Sequence, residues 1–234
     1  MKSVALNHAS LIDSASAGFL ARFAMAISLA AAFVLTAPPV RAQHAQHIVA
    51  KAPAQARMAE AAAAHRDLWV GHIFWVRNVA TETLAGNAKA AAAAEKEVVA
   101  NARAIAGSIE PFYGKAASEK LFGLLAGHYG AVKQYLEATA AGSKARQEAA
   151  VRNLTGNATE IARFLSGANP NLPFDTLNGL LLGHGGHHIQ EIQQLKNKQY
   201  AQEAQTWEAM KKHMYVIADA LAGAIAKQFP AQFI

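Results

Sequence analysis

The chain contains no cysteine. This excludes disulfides, thiolate metal sites, covalent c-type haem attachment and a cysteine nucleophile. Charge is scarce too, at 16% of 234 residues. A ferritin-like or hemerythrin-like di-iron centre needs several inward carboxylates, with Glu-x-x-His pairs in the ferritin case. Only Glu191 and Glu160 are candidates here, so no such centre is expected. The chain also lacks a Walker loop, Gly-x-Gly-x-x-Gly, Gly-x-Ser-x-Gly and His-Glu-x-x-His. Gly183–Gly186 is glycine-rich but lies within a helical pattern, without the strand-to-helix context of a phosphate loop. The reading is therefore of a binding protein rather than an enzyme. The formal charge of +6 is spread with mixed sign and forms no dense Lys/Arg cluster. That distribution argues against nucleic acid as a partner.

What remains is 53% hydrophobic, rich in alanine and sparse in β-branched residues along its long segments. The composition predicts an all-α protein with a sizeable core. Phe23 to Ala37 is an uncharged, mainly apolar run after a weakly basic leader, too short for a comfortable membrane span. Val40-Arg41-Ala42 places small residues where a signal peptidase reads. Residues 1–42 thus read as a signal peptide cleaved near Ala42, giving a periplasmic or secreted protein with no stable membrane span. Residues 43–53, with His44 and His47, read as a flexible arm.

From residue 54 the pattern predicts an up-down bundle of six helices, over about 54–84, 88–109, 116–140, 144–166, 174–196 and 200–228. Turns are expected at Gly86-Asn87, Gly142-Ser143 and Asn197-Lys198. Pro111–Gly114 and Asn169–Pro173 are expected to join one hairpin to the next. His72, His128 and His184 recur at one constant interval, and each follows a glycine within Leu-x-x-Gly-His. Asn101, Asn157 and His213 recur at the same interval, each equally far along the chain from its histidine. The midpoint between the two members of a pair is the proposed turn, so each pair stands level within an antiparallel hairpin. Three repeated hairpins follow, over about 60–115, 116–171 and 172–227.

All six residues lie on apolar stripes, so the layer is expected to face inward. Imidazoles converging from several helices suit zinc or copper. His72, His128, His184, His213 and His188 are the expected ligands. Asn101, Asn157, His187 and Glu191 are expected behind them, orienting the rings. A glycine before each repeat histidine implies either close helix approach or room for a ligand. Met210 beside His213 would favour copper(I), or simply fill the core. Two other readings stay open. One is a structural polar layer in which each histidine is hydrogen-bonded to the asparagine of its hairpin. The other is a site for haem b or another planar ligand, lined by Trp69, Trp75, Tyr129 and Tyr135.

Leu68-Trp69-x-x-His72-x-x-Trp75-x-Arg77, Pro111-x-Tyr113-Gly114, Asn157-Ala158-x-Glu160-Ile161-Ala162, Asn169-Pro170 and Gln228-Phe229-Pro230 resemble a family of small helical bacterial proteins. Some members carry an acetylglutamate kinase label. The resemblance covers most of residues 66–230 and implies a shared buried site, without naming an activity. An amino-acid kinase is an α/β protein with glycine-rich phosphate loops, which this sequence does not contain.

Overall fold

The structure, a computed structural model, describes residues 54–233. The expected signal peptide over 1–42 and the arm over 43–53, with His44 and His47, lie outside the described residues. Seven α-helices follow in order: α1 (Ala54–Leu84), α2 (Ala88–Gly107), α3 (Glu110–Tyr113), α4 (Lys115–Ala140), α5 (Lys144–Ala168), α6 (Phe174–Lys196) and α7 (Tyr200–Gln228). A 3₁₀ turn, Pro230–Phe233, closes the described chain. There is no strand among the described residues. The six long helices begin and end close to the boundaries that the apolar pattern predicts. The difference is α3, where the pattern predicts only a linking loop. Pro111 sits in the first turn of this single-turn helix, where a missing N–H costs nothing, and Gly114 ends it at φ 81°.

α1–α2, α4–α5 and α6–α7 are antiparallel hairpins whose turns share one backbone design. At each turn two backbone N–H groups reach back across the helix end. Asn87 donates to Glu82 and Gly86 to Thr83; Ser143 donates to Ala138 and Gly142 to Thr139; Gln199 donates to Gln194 and Lys198 to Leu195. This paired arrangement caps the last carbonyls and needs one residue in the left-handed region. Gly86 and Gly142 supply it at φ 80° and 68°, whereas Lys198 adopts φ 58° against its steric preference.

α1, α4 and α6 touch one another at the centre. The outer helix of each hairpin packs on the inner helix of the next: α2 on α4, α5 on α6, and α7 back on α1, closing a ring. The apolar core falls into two clusters. One, away from the hairpin turns, includes Trp69, Ile105, Leu125, Ile161, Leu181 and Ile217. The other, toward the turns, includes Val76, Val98, Val132, Leu136, Leu154 and Ile192. Between them lies the histidine layer.

At the far end from the turns, Tyr113, Asn169 and Gln228 tie the hairpins together. Asn169 Nδ2 donates to Tyr113 Oη at 2.9 Å, and that hydroxyl donates to Gln228 Oε1 at 2.7 Å. Gln228 Nε2 donates to the Ala168 carbonyl at 3.1 Å. No helix among the described residues is long and apolar enough to cross a membrane.

Candidate metal centre

His72 on α1, His128 on α4, and His184 and His188 on α6 meet at the centre of the bundle. All four are buried, and each offers a ring nitrogen such that the four atoms lie within 4.8 Å of one another. The placement follows from helical geometry. One position per inner helix, at a common height, points down the shared axis. His188 lies one turn beyond His184 on the same face of α6. The ring centroids stand 6.2 Å (His72–His128), 5.5 Å (His72–His184), 5.7 Å (His72–His188), 5.5 Å (His128–His184), 6.3 Å (His128–His188) and 4.5 Å (His184–His188) apart.

A bound ion would set these separations within narrow limits. An ion held tetrahedrally by nitrogens at about 2.0–2.1 Å sets imidazole centroids about 5.2 Å from each other. The observed values bracket that figure. A square plane would need four neighbours at about 4.5 Å and two diagonals at about 6.4 Å. Only His184–His188 is as close as 4.5 Å.

The protein does not satisfy these rings itself. Both nitrogens of His128, His184 and His188 are buried and make no hydrogen bond. A buried polar atom left this way costs about 1–3 kcal/mol. Burial removes the solvation of imidazolium and keeps the rings neutral, with lone pairs exposed. His72 is brought down to about 3 by burial, with His128 adding to the effect. His128 falls to about 4 through burial, opposed by its contact with the Asn157 amide. His184 and His188 are held well below the usual range by burial and by the other imidazoles. Four neutral, convergent imidazoles, three of them without any hydrogen bond, are a donor set that fits a late first-row metal ion.

One carboxylate stands behind this group. Glu191 is fully buried (0% exposed), with Oε2 3.9 Å from His188 Nδ1 and Oε1 3.7 Å from Arg77 Nε. Burial, and after it the neighbouring Glu203, push Glu191 up to about 8, with Arg77 opposing. Arg77 is itself clamped by Glu203 through both carboxylate oxygens, at 2.5 and 2.8 Å. Its guanidinium lies 5.4 Å from the centre of the Trp207 ring. With Nδ1 facing Glu191, His188 is left with Nε2 for the cluster. Arg77 and Glu203 are far apart in the chain and escape sequence reasoning, because their meeting depends on the α7–α1 closure rather than on a hairpin.

Two expectations need correcting. His213 is not part of the cluster. Its Nε2 lies 2.7 Å from the Leu180 carbonyl, and its ring stands 5.4 Å from that of His187. His187, half-buried, faces this pair rather than backing the central rings, and burial and then His213 lower its pKa. The reason for both emerges from the other hairpins. Asn101 Nδ2 donates to the Leu68 carbonyl at 2.9 Å, and Asn157 Nδ2 to the Leu124 carbonyl at 3.0 Å. All three contacts reach the carbonyl one helical turn before the cluster histidine of the same hairpin. His213 therefore plays the part of the asparagines: it straps one helix of a hairpin to the other.

The straps also account for the glycines. A Cβ on Gly71 would meet Asn101 Nδ2 at 3.0 Å, one on Gly127 would meet Asn157 Nδ2 at 3.0 Å, and one on Gly183 would meet His213 Cε1 at 3.3 Å. Close approach is the cause, not space for a ligand. Met210 and Met214 are fully buried in the apolar cluster, and Glu160 is exposed.

Fold and site together define an all-α bundle with four histidines grouped closely enough to hold a metal ion. No family model, curated protein or solved structure matches the chain.

Proposed function

We propose that the protein binds one transition-metal ion, zinc(II) or copper(I), through His72, His128, His184 and His188. One observation carries this reading: four buried imidazoles, each with a nitrogen within 4.8 Å of the others', while neither nitrogen of three of them makes a hydrogen bond. All-nitrogen donors whose ring separations bracket the tetrahedral value suit these two ions best. Four protein ligands close the coordination sphere and leave no open position for a substrate, which favours holding or carrying the ion over catalysis. The leader pattern of residues 1–42 adds export to the proposal, placing the work in the periplasm or outside the cell. The matched turns and straps support descent of the three hairpins from one unit.

A polar layer serving register alone would hydrogen-bond its imidazoles to the asparagines. Asn101 and Asn157 aim Nδ2 at the Leu68 and Leu124 carbonyls instead, and neither nitrogen of His128 makes a hydrogen bond. A haem between His72 and His128, or between His128 and His188, is blocked by the His184 ring, whose centroid lies 4.5–5.5 Å from each of them.

The test is elemental analysis of protein purified without a histidine tag. Near-stoichiometric zinc or copper is expected, and loss of that metal in His184→Ala. Metal-free protein that fails to take up zinc(II) or copper(I) on addition would overturn the reading.

A further inference from the structure

Four of the polar positions at which the third hairpin departs from the other two carry a histidine or a buried carboxylate. Stepping back by one and then two repeat intervals, His187 corresponds to Ala131 and Trp75, His188 to Val132 and Val76, Glu191 to Tyr135 and Val79, and His213 to Asn157 and Asn101. His188 and Glu191 belong to the central site. The other two departures meet each other, with ring centroids 5.4 Å apart across α6 and α7. That separation lies within the range spanned by the central rings. The strap alone does not call for histidine at 213, since asparagine makes the same contact in both other hairpins. The strap engages only Nε2 of His213 and leaves Nδ1 unused. His187 and His213 are half-buried rather than enclosed, and Gly186 beside His187 faces open space.

We propose that His187 and His213 form an outer metal site that captures an ion from solution and passes it to the central histidines. Two imidazoles at an accessible surface bind a late first-row ion weakly and release it quickly, whereas four buried ones bind tightly and exchange slowly. His187 adjoins the central ligand His188 in the chain, and Gly183, which the His213 ring covers, adjoins His184. The outer pair thus lies against the turn of α6 that carries the two central ligands it would feed, His187 on that turn and His213 over it from α7. This inference rests on the metal-binding reading of the central site.

The experiment adds zinc(II) to the metal-free full chain and follows loading against a chromophoric chelator, with imidazole NMR shifts as a second readout. His213→Asn keeps the strap and removes the imidazole; His187→Ala removes its partner. Both variants should fill the central site to wild-type stoichiometry but lose the weaker binding event and load several-fold more slowly. In His184→Ala, zinc should still shift the His187 and His213 resonances. Wild-type loading rates in both variants, or unshifted resonances in His184→Ala, would overturn the outer site while leaving the central one standing. Failure of the wild type to bind zinc tightly, with shifts still present at His187 and His213, would sink the central reading instead.

Discussion

His72 titrates at about 3 and His128 at about 4, and His184 and His188 lie well below the ordinary 6.5. Their folded-state pKa values are depressed, so below pH 6.5 the unfolded chain takes up protons that the folded chain refuses. The stability these groups contribute is present above pH 6.5 and lost as pH falls toward 4, by about 1.4 kcal/mol per pH unit for each proton. Glu191 acts in the opposite sense, since its folded value is raised from 4.5 to about 8. Its contribution is present below 4.5 and lost as pH rises to 8. For these five groups together, the metal-free protein should be most stable near pH 7. Urea midpoints in chelator at pH 5, 7 and 9 check this, and a midpoint that rises steadily toward pH 9 contradicts it. At this scale three of the four clustered histidines were legible in the repeat interval, and His188 in its one-turn offset from His184. His213 misled because spacing sets the height of a residue in a hairpin, not the group it faces. The Leu180 carbonyl that engages it belongs to the backbone and leaves no mark in the sequence.

Each hairpin can be probed through its strap and its turn. Alanine normally suits a helix interior better than glycine by about 0.8–1.0 kcal/mol. At residue 71 the sign should reverse, because the new methyl group meets Asn101 Nδ2 at 3.0 Å while that amide is held by Leu68. Gly71→Ala should destabilise the protein, and the same change in an Asn101→Ala background should stabilise it. Urea unfolding of the double-mutant cycle reads the difference. At the third turn, Lys198→Gly relieves a left-handed lysine and should stabilise by about 0.5–1 kcal/mol, the steric cost less the entropy of glycine. Helix limits were legible because alanine-rich segments stop at glycine, proline and asparagine. α3 was not, since Pro111 reads as a break yet is tolerated in a first helical turn.

Across the whole molecule, the four clustered histidines come from α1, α4 and α6, one helix of each hairpin. An ion held there fastens all three hairpins at once. Free metal at a hundred times its dissociation constant should add about 2.7 kcal/mol to global stability. Removing the ion with chelator should lower the melting temperature, and amide exchange around residues 72, 128 and 184 should accelerate together. Acceleration confined to α6 would place the ion on one helix only. Ring closure through Arg77 and Glu203 was beyond sequence reasoning, because it joins the first hairpin to the last.

The division of the clustered histidines among the hairpins also constrains when the proposed ion could be taken up. The first two hairpins contribute one imidazole each, and the third contributes the remaining two. A growing polypeptide that has emerged only as far as α5 offers two widely separated donors and has little hold on any ion. Capture must wait until α6 is made and docked. On the proposed reading, the chain leaves the ribosome without an ion and gains one only where it finishes folding.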